Sequence, residues 1–286
     1  MKDRITVRKT YKLYIGGKFP RTESGRYDAL KLGDGTMVNI CRASRKDFRN
    51  AVVVARAAQP GWQERTAYNR GQILYRIAEM LEGRQAQFIA ESQSMGKSRS
   101  QAEAEVSSAI DLLVYYAGWC DKYQQLFSSV NPVAAPYFNF SVPEPTGVVI
   151  CVAHQKEGLL GLVAAMLPSI VGGNAIILLA EKASAISAIS FAEVLQTSDV
   201  PGGVINILTG LLEELHEHFA SHMDVNAIVV GNGTAAQFKN IQMLAANNVK
   251  RIIDRRDIAC TSFAEEGPYP IMDTQEIKTT WHPVGK

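Results

Sequence analysis

The chain has 286 residues, of which 47% are hydrophobic and 20% charged, and this balance indicates a globular protein with a substantial buried core. The 30 basic and 28 acidic side chains nearly cancel and form no long run of one sign, which disfavours nucleic acid and anionic lipid as partners. The polar N-terminal stretch MKDRITVRKTYK has no signal-peptide pattern, and no apolar run reaches the length of a membrane span. We therefore expect a soluble, cytoplasmic protein.

The residue types that most often bind metal ions show no ligand pattern in this chain. The cysteines are far apart and include no CxxC pair, so they predict neither a zinc site nor a disulfide framework; they are Cys41, Cys120, Cys151 and Cys260. His216, His218 and His222 fall on one predicted helix, but their spacing places at most two of them on the same face. We expect no metal site.

The first third of the chain is predicted to be mainly helical after a short strand-like stretch at residues 11–17. Ser44 followed by Asp47 forms a capping-box pattern, which predicts the start of an amphipathic helix. That helix is expected to break at residues 60–61, where proline and glycine follow each other. Apolar residues recur at helical spacing in two further stretches, residues 73–81 and 106–117.

A β-rich aromatic segment follows these helices. Its apolar residues at positions 137–142 are enclosed by prolines, which suit the edge of a sheet better than its centre. The segment is predicted to be either an edge hairpin or an arm laid on another surface.

From Gly147 the chain alternates short apolar, β-branched runs with helical stretches, which is typical of a parallel sheet wrapped by helices. The predicted strands are GVVICVA, AIILLAE, VINILTG, AIVVGN and KRIID, with helices near residues 159–170, 184–195, 211–222 and 234–245. This pattern predicts a Rossmann-like, doubly wound α/β fold whose ligand crevice lies outside the carboxyl ends of the strands. One more strand, EIKTTW, is predicted in the tail.

Several of these stretches resemble landmarks of the NAD(P)-dependent aldehyde dehydrogenases, in the same order along the chain. They are LYIGGKF, MGKSRSQAEAEVSSAIDLLVYYAGW, EPTGVVICVA, PSIVGGNAIIL and AEVLQTSDVPGGVINILTG, and the resemblance spans residues 11–257. In that family a cysteine thiolate attacks the aldehyde, hydride passes to the nicotinamide, and water releases the acid.

The resemblance also implies a domain organisation. Residues 1–131 and 147–262 would form the Rossmann-like cofactor-binding domain, and residues 132–146 and 263–286 an oligomerisation hairpin and a C-terminal strand. The family continues through a second α/β domain that carries the nucleophilic cysteine, whereas about 30 residues follow the resemblance here. We expect the catalytic domain to be absent.

The positions that resemble the family's catalytic residues are changed in residue type or, for the cysteine, displaced along the chain. Lys156 takes the place of an asparagine that holds the oxyanion, and it cannot reproduce that directed amide donor. Arg255 takes the place of the glutamate that activates water, and an arginine cannot act as a general base. Cys260, in ACTSF, faintly resembles the nucleophile motif, although a packing role is favoured. The resemblance implies no intact catalytic residue.

The positions that resemble the cofactor site are weakened as well. Lys182 is the candidate for a ribose-binding lysine that the family carries three residues earlier. Gly210 begins the phosphate turn, but Glu213 and Glu214 follow it at the start of a helix. Carboxylates there compete with a pyrophosphate for the positive end of the helix dipole.

A second glycine turn keeps only part of the family pattern. Gly231, Gly233 and Thr234 are candidates for phosphate contacts, and a purely structural turn is the favoured alternative. The resemblance implies NAD or NADP as the cofactor, and these changes argue against tight binding.

The tail sequence QEIKTTWHPVGK resembles a family strand that joins an oligomerisation sheet with the hairpin of a neighbouring subunit. Three hypotheses result. The favoured one is a catalytically inactive structural or regulatory subunit that self-associates or joins a full-length aldehyde dehydrogenase. The others are an NAD(P)-linked oxidoreductase that uses a partner's nucleophile, and a binding module for a nucleotide or metabolite.

Overall fold

The structure is a computed structural model that describes residues 7–154, 156–260 and 267–285. The helices and strands, numbered in chain order, are β1 (Thr10–Tyr11), β2 (Tyr27–Lys31), β3 (Met37–Cys41), α1 (Arg45–Gln63), α2 (Ala67–Glu82), α3 (Gln85–Ser94), α4 (Arg99–Ala117), α5 (Tyr123–Phe127), β4 (Ser129–Asn131), β5 (Tyr137–Pro145), β6 (Val148–Val152), α6 (Gly158–Val171), β7 (Ala175–Ala180), α7 (Ala185–Gln196), β8 (Ile205–Thr209), α8 (Leu212–Ser221), β9 (Ala227–Val230), α9 (Ala235–Ala245), β10 (Arg251–Asp254), α10 (Tyr269–Met272) and β11 (Gln275–Pro283).

Five parallel strands form the central sheet, in the order β10-β9-β6-β7-β8. They coincide with the five apolar runs predicted from the sequence. Every residue of β6 is buried, as expected for a sheet that is covered on both faces. Helices α2, α4, α6 and α7 pack on one face, and α1, α8 and α9 pack on the other. The prediction of a doubly wound α/β fold is confirmed.

Helix α1 begins where the capping box predicts but ends later than expected. Ser44 accepts a hydrogen bond from the Asp47 backbone N–H, and the Asp47 carboxylate accepts one from the Ser44 N–H. The predicted break at Pro60 is wrong, because the helix continues to Gln63. Its last turn holds Trp62, which is buried and donates from Nε1 to the Ile170 carbonyl at 3.0 Å. This packing offsets the backbone bond that the proline cannot make.

The rest of the N-terminal region is less regular than the sequence suggests. The expected strand at residues 11–17 reduces to β1 and two isolated antiparallel bridges, one between Tyr14 and Ile207 and one between Ile15 and Lys18. The predicted helices at residues 73–81 and 106–117 correspond to α2 and α4. Strands β2 and β3 and helix α3 were not predicted; α3 buries only Phe88 and Ser92, too little for a clear periodicity.

A separate three-stranded antiparallel sheet, which we call the arm, contains β4, β5 and β11 in the order β11-β5-β4. Strand β11 pairs with β5 along its whole length, from Gln275 opposite Pro145 to Pro283 opposite Tyr137. This differs from the expected pairing with a neighbour's hairpin, because both strands belong to one chain. The arm begins at Ser129, whereas residue 132 was expected. Helix α10 lies in the C-terminal segment that was expected to belong to the arm, and it packs on α6.

Within the described ranges, none of the helices combines the length and the apolar character that crossing a membrane requires.

Candidate functional site at the strand ends

The strand order creates a crevice at the carboxyl ends of the central sheet. The chain runs from β6 outward through β7 to β8, and then returns to the other side of β6 for β9 and β10. In such sheets, ligands bind where the direction reverses. The loops after β6, β7, β8 and β9 therefore form the candidate site.

Glu181, directly after β7, bridges two other loops of this crevice. Its Oε1 accepts a hydrogen bond from the Leu212 backbone N–H at 3.0 Å, and Leu212 is the first residue of α8. Its Oε2 accepts a hydrogen bond from Asn232 Nδ2 at 2.7 Å. The carboxylate thus lies at the positive end of α8, where the helix dipole favours an anion.

The Leu212 side chain closes the space between α8 and the glycine turn. It is buried, and a Cβ added to Gly233 would lie 3.0 Å from Leu212 Cδ2. Gly233 also has a φ of 130°, a conformation that L side chains rarely adopt. Steric fit and backbone conformation both account for this glycine without a ligand.

The glycine turn leads into a self-capped helix. Thr234 is the N-cap of α9, and its hydroxyl accepts a hydrogen bond from the Gln237 N–H at 3.2 Å. The Gln237 side chain in return accepts the Thr234 N–H at 2.9 Å. This capping box already uses two of the donors that a phosphate would need.

Gly231 lies against the loop that follows β6. A Cβ at this position would lie 2.6 Å from the Val152 carbonyl oxygen and 2.9 Å from a ring carbon of His154. Burial lowers the pKa of His154, which favours the neutral imidazole. The glycine is therefore required by close packing between β6 and β9.

The two glutamates expected to compete with a phosphate, Glu213 and Glu214, have different surroundings. Glu213 is exposed. Glu214 forms salt bridges with Arg42 and with Arg26, the latter at 3.2 Å, and the hydrogen bond from Arg42 lowers the pKa of Glu214. The competing carboxylate is instead that of Glu181, which the sequence did not single out.

The remaining cofactor candidates, Lys182 and Gly210, lie in the loops that follow β7 and β8. Lys182 is exposed on the turn after β7. Gly210 is buried, and its N–H donates to the Ala180 carbonyl at 3.2 Å, which holds the ends of β7 and β8 together.

Lys156 is exposed and lines a cavity of about 320 Å³ with Lys97 and Glu157. The helix that follows it, α6, is closed at its N-terminus by the buried carboxylate of Glu105. Oε1 of Glu105 accepts the Leu159 N–H at 2.6 Å. The helices that follow β6, β8 and β9 therefore all have backbone donors at their N-termini bonded to side chains of the chain itself.

Arg255 comes directly after β10 and points toward the C-terminal segment. Its guanidinium forms a salt bridge with the Asp273 carboxylate, and its backbone N–H donates to the Val230 carbonyl at 2.9 Å. The side chain is only 12% exposed. Arg255 thus anchors the segment that carries α10 and β11.

Cys260 is buried, and burial raises the pKa of its thiol to about 12, with the nearby Glu157 charge adding to the shift. A thiol with such a pKa is not a thiolate near neutral pH, which disfavours nucleophilic attack. The last three residues of the ACTSF motif, 261–263, lie outside the described residues.

The sequence does not single out side chains that lie at one edge of the fold but far apart along the chain. Glu181 and Asn232 follow different strands, and Asp273 lies beyond the sheet. The sequence feature that could have identified Glu181 is its position at the carboxyl end of a buried parallel strand, where functional side chains are often found.

These contacts do not fit a dinucleotide whose pyrophosphate rests on the N-terminus of α8. The Glu181 carboxylate bonds the first N–H of that helix, and the Leu212 side chain fills the space beside Gly233. Among the described residues, no group of three histidine, cysteine, aspartate or glutamate side chains could hold a metal ion.

Comparison with known proteins agrees with this fold. The pattern of the aldehyde dehydrogenase family matches residues 28–254. DhaS of Bacillus subtilis (strain 168) is 31% identical over 249 residues, which cover 85% of this chain and 50% of DhaS. Cytosolic 10-formyltetrahydrofolate dehydrogenase of Xenopus laevis is 30% identical over 256 residues, covering 87% of this chain and 28% of that protein.

Solved structures show the same relationship. PnpE from Pseudomonas sp. WBC-3 superposes with a TM-score of 0.80 and 25% identity, over 87% of this chain and 50% of PnpE. PnpE has also been solved in complex with nicotinamide adenine dinucleotide. The chain spans about half the length of DhaS and of PnpE. On the extent of the family match, the chain belongs to the aldehyde dehydrogenase family.

Proposed function

We propose that this chain is a catalytically inactive structural or regulatory subunit, which self-associates or joins a complete aldehyde dehydrogenase. The observation that carries the proposal is the salt bridge between Arg255 and Asp273. By resemblance, Arg255 stands where the family has the glutamate that activates water. A guanidinium stays protonated and cannot accept the proton of that water.

The other changed positions support the same proposal. Lys156 is exposed on its loop, so burial does not fix it as a short donor aimed at an oxyanion. The thiol of Cys260 is buried with a raised pKa. PnpE binds NAD, but in this chain Glu181 stands at the N-terminus of α8, and we propose that the crevice does not bind the cofactor tightly.

The structure of the arm supports the proposed assembly. Strand β11 is an edge strand of nine residues, and the backbone groups of an edge strand can pair with a further strand. Ile277 and Trp281 are 54% and 57% exposed and lie on one face of the arm, because they are four residues apart in a strand. The Trp281 ring contacts Tyr137 with centroids 5.9 Å apart. Apolar side chains grouped in this way are typical of an interface.

We therefore expect Trp281→Lys to weaken assembly, because a charge replaces an exposed aromatic ring in the arm. The measurement is the mass in solution by light scattering, for the chain alone and mixed with a full-length aldehyde dehydrogenase. The matched control is Tyr68→Lys, which changes an aromatic residue on α2 that is 69% exposed and lies outside the arm.

The proposal predicts an oligomer or mixed complex for the unchanged chain and for the Tyr68 variant, and a lower mass for the Trp281 variant. A monomer under every condition, or equal masses for both variants, would contradict the role of the arm. Oxidation of an aldehyde by the purified chain alone, followed as NADH formation, would contradict inactivity.

A further inference from the structure

The Glu181 carboxylate is held in the way that proteins hold a bound oxyanion. One oxygen accepts the Leu212 N–H at 3.0 Å, and the other accepts Asn232 Nδ2 at 2.7 Å. The two donors come from different loops, after β8 and after β9. Glu181 itself comes from a third loop, after β7. Its carboxylate therefore connects the segments that follow three strands of the sheet.

The chemistry of this position suits a phosphate as well as a carboxylate. The N-terminus of a helix binds anions through its free N–H groups and through its dipole. The Asn232 amide is a second donor that does not depend on the helix. Carboxylate and phosphate oxygens accept such hydrogen bonds with similar geometry, so a phosphate and Glu181 would compete for the same two donors.

We infer that Glu181 is an internal substitute for a phosphate: it occupies an oxyanion cradle formed by Leu212 N–H and Asn232 Nδ2 and thereby closes the crevice to phosphate-bearing ligands. This inference rests on the proposed function, because it gives the physical reason why the crevice of an inactive subunit does not bind a dinucleotide. Both donors of the cradle are present, and the chain supplies its own ligand.

A simpler explanation of the same contacts is that Glu181 only caps α8. The two explanations predict different results when the carboxylate is removed. A mere cap leaves a weaker helix end that solvent can satisfy. A cradle leaves two aligned donors that bind an added oxyanion.

The experiment therefore compares Glu181→Ala, Glu181→Gln and the unchanged chain, with inorganic pyrophosphate as the probe. Calorimetric titration gives the Kd, and the shift in Tm on adding pyrophosphate gives a second readout. We expect Glu181→Ala to bind pyrophosphate at least about tenfold more tightly than the unchanged chain, since charge-assisted hydrogen bonds of this type contribute more than that factor. Glu181→Gln should lie between the two, because its amide oxygen still accepts the Leu212 N–H.

The matched control is Glu213→Ala, which removes an exposed carboxylate from the same first turn of α8. It should not create pyrophosphate binding, whereas a general change in charge near the helix would act equally at both positions. Adding Asn232→Ala to Glu181→Ala should weaken the new binding, because one of the two donors is lost.

Titrating Glu181→Ala with NAD separates the sources of the phosphate. Binding of pyrophosphate alone assigns the cradle to free phosphates, as expected if the Leu212 side chain still excludes the dinucleotide, and binding of both assigns it to a dinucleotide; either supports the cradle. Absence of pyrophosphate binding by Glu181→Ala, or equal binding by the unchanged chain, would overturn the inference. Oxidation of an aldehyde by the unchanged chain would instead overturn the proposed function, and tight NAD binding by the unchanged chain would contradict both.

Discussion

Lys250 is a buried cation directly before β10, and only 8% of it is exposed. Its Nζ donates to the carbonyl oxygens of His222 at 2.7 Å and Val225 at 2.8 Å, which fixes the loop between α8 and β9. Burial lowers the pKa of Lys250 from 10.5 to about 8, because desolvation disfavours the ammonium form.

This shift predicts a pH-dependent contribution to stability. Between about pH 8 and pH 10.5 the unfolded chain keeps the lysine proton that the folded chain has released, so unfolding takes up a proton. The free energy of unfolding therefore rises with pH across this window. Relative to Lys250→Met, we expect the unchanged chain to gain on the order of 3 kcal/mol, measured by urea denaturation at a series of pH values.

The comparison with the methionine variant removes other alkaline effects. Burial raises the pKa of Cys120, Cys151 and Cys260 to about 12, and these thiols titrate equally in both proteins. Lys46→Met serves as the control for the change of residue type, since Lys46 is 67% exposed. A constant difference between the unchanged chain and Lys250→Met over this range would contradict the account.

For single residues, the sequence predicted which residue types occur near the crevice better than it predicted their contacts. Glu213 and Glu214 were singled out because acidic residues at a helix start are easy to recognise. Their partners depend on the tertiary fold, which directs Glu214 to Arg42. Glu181 contacts residues that are 31 and 51 positions away, and no local pattern reports such a distance.

Among the elements, the C-terminal segment depends on two arginines of the β10 region. Arg255 pairs with Asp273, and Arg251 pairs with Glu276 at 3.0 Å. The first pair is the more buried, with side chains 12% and 34% exposed against 37% and 61% for the second. Buried ion pairs lose more free energy than exposed ones when one partner is removed.

We expect Asp273→Ala to destabilise the chain by about 1–2 kcal/mol and to increase hydrogen exchange in β11, because a largely buried guanidinium loses its carboxylate. Glu276→Ala is the matched control and should change the free energy of unfolding by less than about 0.5 kcal/mol. Hydrogen exchange of residues 275–283 measures both variants. An equal effect of the two changes would contradict the anchoring role of Arg255.

Element boundaries were predictable where local chemistry decides them. The capping box of Ser44 and Asp47 located the start of α1, because its hydrogen bonds join residues three apart. The end of that helix was not predictable, since Trp62 is held by Ile170, which is 108 residues away. Tertiary packing of Trp62 therefore continues the helix past Pro60, although proline locally favours a helix break.

For the whole molecule, the alternation of buried β-branched runs with helices was sufficient to predict the doubly wound sheet. The sheet buries both faces, so its strands are apolar throughout, and that signal survives without knowledge of the contacts. The pairing of β11 with β5 within one chain was not predictable. Strand propensity reports neither the register of two strands nor whether both belong to the same chain.

We propose that the chain keeps the dehydrogenase fold without its cofactor chemistry. The most direct test is a calorimetric titration of the unchanged chain with NAD and with NADP, with its mass recorded on the same sample by light scattering. We predict an assembled protein that shows no saturable binding in the micromolar range. Saturable micromolar binding of either dinucleotide by that assembly would contradict the claim.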